Sequence, residues 1–227
     1  MSAWTEPQVR EFLQNTALGE YQRIELPYGL CVPGKDRSAT ARAIFTPAPA
    51  GKRVLDIGCN YGYFSHEAAR GGAREVVGLE RDAAHVEIAR TIAEIKGGPV
   101  RVIHGTVETA ALSDPFDWVL VLNVIHHVPD PFAFLRQVAG LARERVIVEV
   151  PMPSAGRFRG AARVNRLLAR HLKQLPMIGV RPEAGTRFYF TPKAFEATFV
   201  RNLGLFRQVR CVPSPAWPDR SLAFCEI

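Results

Sequence analysis

The sequence predicts an α/β domain built on a doubly wound, mostly parallel sheet. Short runs rich in β-branched residues recur between Arg53 and Val150, as buried parallel strands require. Stretches of helical length separate most of these runs, which suits crossover connections with helices on both faces. The first run, VLDI at 54–57, opens into a loop with glycines at 58 and 62. Strand, glycine turn and helix in succession is the general shape of a nucleotide cradle, because glycine lets the main chain approach a ligand closely.

The elements follow in order. Thr5-Glu6-Pro7 combines a capping threonine with a proline in the first turn, so a short helix is expected over Glu6–Asn15. Tyr21–Val32 reads as extended segments about a Tyr28-Gly29 turn. Asp36–Phe45 reads as a helix that runs into a Pro/Ala linker, Thr46–Gly51. The alternation then gives strand 53–57, helix 62–70, strand 75–79, helix 82–96 and strands 100–103 and 117–122. Helix 131–142 and strand 145–150 complete it. A basic helical stretch at 157–175 comes next, then a helix over 192–203 and strands at 206–212 and 221–226. Residues 1–46 are expected to form an N-terminal extension covering the cleft. Residues 47–227 form the main domain, with 151–190 inserted as a helical lid.

The 227 residues are 47% hydrophobic and 22% charged, which suits one such domain with a sizeable core. No apolar stretch approaches the roughly 20 residues of a membrane span, and no signal-peptide pattern opens the chain. Cys31, Cys59, Cys211 and Cys225 lie far apart without a C-x-x-C, so reduced thiols and a cytoplasmic location are expected. The net charge of +7 permits an acidic partner such as RNA, a phosphorylated substrate or a membrane surface, and requires none.

The glycine loop matches neither G-x-G-x-x-G nor G-x-x-x-x-G-K-[ST]. It reads Asp56-x-Gly58-x-x-x-Gly62, with an acid at the strand's end. In doubly wound sheets ligands sit beyond the carboxyl ends of the strands, so four loops should converge there. They are Asp56–Gly62, Gly78–Arg81, His104–Glu108 and Leu122–His127. Glu80 ends the second strand roughly 20 residues on, where a carboxylate can hold both ribose hydroxyls. A ribose carboxylate without pyrophosphate spacing points to a nucleoside cofactor that lacks a diphosphate.

VLDIGCNYGYFS, VVGLERD, FDWVLVLNVIHHVPDP and RVIVEV stand in that order over about residues 51–150. Together they resemble the ordered motifs of class I S-adenosylmethionine-dependent methyltransferases. The resemblance implies a Rossmann-like, seven-stranded sheet whose last pair includes one reversed strand, and S-adenosylmethionine as cofactor. It also implies roles. Asp56 and the Gly58–Gly62 loop, with Cys59 and Asn60, would hold the methionine part, and Glu80, with Arg81 beside it, the ribose. Thr106 and Val107 would flank the adenine, and the Asn123 carbonyl would meet the methionine ammonium. Many members carry Gly-Asp after the third strand. Here it is Gly105-Thr106, so the adenine contact is weaker or comes from Glu108. More narrowly, IHHVPDPFAFLRQV and RFYFTPKAFEATFVRNLGLFRQVR resemble the group containing tRNA wobble-uridine carboxymethyltransferases and related small-molecule methyltransferases. Val32-Pro33-Gly34 upstream is similar as well.

Transfer to a hydroxyl needs a base near the nucleophile, and a loop histidine has a suitable pKa. His126 and His127 are the candidates. Adjacent residues usually point in different directions, so only one is expected to be catalytic, with His126 preferred as nearer the strand. The alternative is that both shape the loop before Pro129-Asp130-Pro131. His66, His85, His104 and His171 show no ligand spacing to them, so no metal is expected.

In the stretch 157–175, Arg159, Arg163, Arg166, Arg170 and Lys173 fall on one stripe about 80° wide, opposite Ala161, Val164, Leu168, Leu172 and Leu175. The apolar face is read as a lid over the acceptor site. The stripe is either solvated surface or a grip for phosphate or another anion, with Arg181 and Arg187 flanking the same cleft. The resulting reading is O-methylation of a small polar metabolite or sugar-like alcohol. A tRNA-modifying enzyme and a non-catalytic S-adenosylmethionine-binding module stand as alternatives.

Overall fold

The computed structural model describes residues 4–112, 114–152, 175–180, 188–217 and 219–227. The basic stripe of 157–175 up to residue 174, with His171, and Arg181 and Arg187 lie outside the described residues. Two compact units divide the chain, Met1–Phe116 and Asp117–Ile227.

The first unit begins with α1 (Glu6–Asn15), whose start is closed by Gln8: its amide oxygen accepts the Thr5 N–H at 2.8 Å. A small antiparallel ladder joins β1 (Ile24–Glu25) to β2 (Cys31–Val32) around Pro27–Gly29, with Tyr28 at φ 64°. The short helix α2 (Ser38–Ile44) follows. The β-α alternation then gives β3 (Arg53–Ile57), α3 (Tyr63–Arg70), β4 (Glu75–Glu80), α4 (Ala83–Lys96) and β5 (Val100–His104). These three strands are parallel, with Asp56 beside Gly78 and Glu80 beside His104. Val54, Leu55, Val76, Val77 and Leu79 are buried, the continuous apolar run that a sheet covered on both faces needs.

The second unit holds β6 (Phe116–Leu122, its first residue in the preceding unit), α5 (Pro131–Gly140) and β7 (Ala142–Pro151). Further on come β8 (Ile178–Val180), β9 (Phe188–Phe190), α6 (Pro192–Glu196), β10 (Gln208–Pro213) and β11 (Arg220–Glu226). Seven strands form one mostly parallel sheet in the order β10-β11-β7-β6-β3-β4-β5. The reversed strand is β11, antiparallel to both β7 and β10.

Two expectations need correction. The helix expected to end at 142 stops at Gly140, and β7 already starts at Ala142. The single helix expected over 192–203 is α-helical only to Glu196; Ala197–Asn202 widens into π-helical turns. There Phe195 and Phe199 bring their rings within 4.6 Å, and both meet Phe190, so tertiary packing overrides the local helix geometry. Beyond the basic stretch, β8 and β9 form a short antiparallel ladder, with Ile178 opposite Phe190. Among the described residues no helix is long and apolar enough to cross a membrane.

Candidate functional site

In the first unit, three of the four expected loops meet at the carboxyl ends of β3, β4 and β5. The strand β3 enters its loop through glycines that the backbone requires: Gly58 sits at φ 71° and Gly62 at φ 87°. Both the Gly58 and Cys59 N–H groups donate to the Leu79 carbonyl, at 2.7 and 3.2 Å, and so lay the loop across the end of β4. Gly78 permits that approach. A Cβ on it would stand 2.8 Å from Cys59 Sγ. The Cys59 side chain itself packs inward with Val86, Ala89 and Val102, so only its main chain belongs to the loop surface. Burial pushes its thiol pKa up, and the nearby Asp56 and Glu80 charges add to the effect.

Glu80 ties these loops together. Its Oε2 accepts the Asn60 N–H at 2.9 Å, while Oε1 accepts the N–H groups of Arg81 and Asp82 at 2.9 and 3.0 Å. The Glu80 carbonyl accepts the Gly105 N–H at 2.8 Å, which brings in the loop after β5. A carboxylate offers about four acceptor positions. Three are used here, by the N–H groups of Asn60, Arg81 and Asp82, and one is left open.

Asp56 is buried at the end of β3, where its Oδ2 accepts the Ser65 hydroxyl at 2.7 Å. Burial raises its pKa to about 6; the Ser65 hydrogen bond opposes this and the Glu80 charge adds to it. Ser65 was not legible as a site residue, although a serine in the first turn of the helix after a glycine loop is a usable signal. Asn60 is left-handed at φ 52°, and its Oδ1 is buried without a hydrogen-bond partner. Arg81 is exposed, and its carbonyl lies 3.0 Å from His104 Nε2. Thr106 closes a turn in which its N–H donates to Thr109 Oγ1 at 2.9 Å. Val107 is buried behind it, and Glu108 is exposed.

Asn123, His126 and His127 belong to the second unit. Asn123 follows β6 in the left-handed region, at φ 68°. Ile125–His127 forms one 3₁₀ turn, with the His127 N–H donating to the Val124 carbonyl at 2.8 Å. His126 is buried and His127 exposed, yet their rings stand side by side, 4.1 Å between centroids. The expectation that the two point apart is corrected by the tight turn. Strand β9 and the start of α5 pack against this turn, and Phe132 meets Phe188 edge to face at 6.2 Å. Among the described residues no three His, Cys, Asp or Glu side chains gather as a metal site.

A family model described as a methyltransferase domain matches residues 33–205. The chain belongs to that family. Its fold and motif order are those of the class I S-adenosylmethionine-dependent methyltransferases. The loop chemistry fits the cofactor of that class: the left-handed glycines leave the main chain bare, Glu80 keeps an acceptor position, and Asn60 Oδ1 is a buried acceptor without a partner. A ubiquinone biosynthesis O-methyltransferase of Proteus mirabilis is 41% identical over 95 residues, which cover 41% of this chain and 38% of that protein. One from a Ruegeria species is 43% identical over 96 residues, with the same coverage. The match thus spans less than two-fifths of these relatives' length. Among solved structures, the N-terminal domain of EvdMO1 with S-adenosylhomocysteine bound superposes with TM-score 0.63 at 16% identity, over 98% of this chain and 97% of that one. Magnesium protoporphyrin IX methyltransferase from Synechocystis, also with S-adenosylhomocysteine, gives 0.57 at 20% identity, over 84% and 81%.

Proposed function

We propose that this chain methylates a hydroxyl group of a small-molecule acceptor at the expense of S-adenosylmethionine. The observation that carries the reading is the Glu80-centred cradle, in which one buried carboxylate ties the glycine loop to the start of α4. Bound there, the cofactor supplies an activated methyl group, so the protein has chiefly to align the acceptor and remove its proton. The acceptor oxygen gains the methyl and gives up its proton to a histidine. One of His126 and His127 is the proton acceptor in this reading, His127 being the exposed ring of the pair. The relatives named as O-methyltransferases support a hydroxyl acceptor. Phe132 and Phe188, both half-buried beside the histidine turn, favour an acceptor with an apolar face over a fully polar sugar. The tRNA reading depends on the basic stretch 157–175, which the described residues reach only at Leu175.

The test is methyl transfer from labelled S-adenosylmethionine to a panel of phenols, apolar alcohols and sugars, followed by His126→Ala and His127→Ala on the best acceptor. Loss of the base should lower turnover by about 10²–10⁴ with cofactor affinity intact. Small, equal losses in both variants would assign the pair to loop shaping.

A further inference from the structure

The loop that would hold the cofactor is itself held from the side by α4. Asn60 is the residue gripped. Its main-chain N–H reaches Glu80 Oε2, and its side-chain Nδ2 lies 3.3 Å from His85 Nδ1. His85 stands in the first turn of α4, where Asp82 Oδ1 caps the helix by accepting the Ala84 and His85 N–H groups at 2.9 and 3.2 Å. The cap fixes the backbone from which the ring projects. The ring also meets Tyr61 edge-on, 5.2 Å between centroids at 89°. Tyr61 is buried, and its hydroxyl accepts the Gly19 N–H at 3.2 Å. A continuous chain of contacts therefore runs from Gly19 through Tyr61 and His85 to Asn60 and Glu80, all within the first unit.

One consequence concerns the direction of the Asn60 amide. In this orientation Nδ2 donates and His85 Nδ1 accepts, so the tautomer with its proton on Nε2 is the one that holds the amide this way round. The carbonyl end, Oδ1, is then fixed as a buried acceptor that no group among the described residues satisfies. A buried acceptor of this kind costs free energy unless a ligand donor meets it.

We propose that His85 is a positioning residue for the cofactor, acting through Asn60 to hold Oδ1 ready for a donor on S-adenosylmethionine, its ammonium or a ribose hydroxyl. This rests on the cofactor reading above. Tyr61 steadies the ring and couples the segment around Gly19 to the same loop.

Two variants separate the acceptor atom from the ring. His85→Phe keeps the edge against Tyr61 and removes the acceptor. His85→Asn keeps an oxygen near the Nδ1 position. In the full-length protein, His85→Phe should weaken S-adenosylhomocysteine binding by about five- to tenfold, the size of one neutral hydrogen bond. It should raise KM for S-adenosylmethionine with kcat nearly unchanged and speed exchange of the Asn60 amide in the free protein. His85→Asn should restore affinity to within about twofold of the parent if one hydrogen bond carries the effect. Parent-like binding by His85→Phe overturns the proposal. So does equal loss in both variants together with a lowered Tm, which would mark a merely structural residue. Should the parent itself ignore S-adenosylhomocysteine, the cofactor reading fails; unchanged Asn60 exchange in His85→Phe would then separately refute the clamp.

Discussion

Glu80 accepts three main-chain N–H groups, and the chemistry of an amide decides what its replacement by glutamine does. In either orientation one end of the new amide turns an N–H toward a main-chain donor, so either the Asn60 bond or the Arg81 and Asp82 bonds are lost. Glu80→Gln should weaken S-adenosylhomocysteine binding by about 1.5–3 kcal/mol, roughly 10- to 150-fold, measured by calorimetry. Unlike a carboxylate that merely faced a cleft, this one also braces two loops. Glu80→Ala should therefore lower the unfolding midpoint as well, and an unchanged midpoint would show that the three bonds contribute nothing. Gly78 makes a second test at this scale. Its missing side chain is occupied by Cys59 Sγ, so Gly78→Ala overpacks the strand-to-loop contact and should cost about 1–3 kcal/mol. Adding Cys59→Ala should recover part of that loss, since the atom nearest the new methyl is gone. Additive losses in the double variant would place the strain elsewhere.

At the scale of elements, β3 through β5 and their glycine turns were legible because periodicity and turn chemistry agree there: VLDI and VVGLE are apolar enough to be buried strands and end in residues that a cradle needs. Other elements were not. Three-residue strands such as β8 and β9 carry no periodicity, and the π-helical turns at 197–202 arise from phenylalanine packing rather than from the chain's local preferences. The contact between His85 and Tyr61 has no signal in the sequence either, because only the folded loop brings them together. Thr191 caps the helix that starts at Pro192, and its hydroxyl does more than that. Its Oγ1 accepts from the Ala194 N–H at 3.2 Å and the Met177 N–H at 3.0 Å, and donates to the Leu175 carbonyl at 2.6 Å. One hydroxyl thus ties α6 to the chain entering β8. Thr191→Val preserves the shape and removes all three bonds, and should cost about 2 kcal/mol in denaturant unfolding. Thr191→Ser should retain most of that stability. If the valine variant unfolds like the parent, the hydroxyl does not hold the ladder in place.

At the scale of the whole molecule stability depends on pH, and among the described residues two buried groups, Asp56 and His66, act on it in opposite directions. Asp56 has its pKa raised from 3.8 to about 6, so its contribution is fully present below pH 3.8 and is lost as pH rises through 6. His66, buried on α3 with its pKa lowered from 6.5 to about 3 by burial and by Lys96, works the other way. Its contribution is present above pH 6.5 and is lost as pH falls toward 3. Between about pH 4 and 6 the two slopes oppose each other, so the pair together should add little net pH dependence over that window. Each slope alone approaches about 1.4 kcal/mol per pH unit where the folded and unfolded states differ by one proton. Removing one group should expose the other. Asp56→Asn should grow more stable as pH rises from about 4 to 6, whereas His66→Gln should grow less stable over the same range. Urea midpoints at half-unit steps measure both. Flat profiles in both variants would mean that neither group titrates as its burial implies. A slope that appears only in Asp56→Asn would leave His66 as the titrating group and reduce the Asp56 shift to a balance between burial and its Ser65 hydrogen bond.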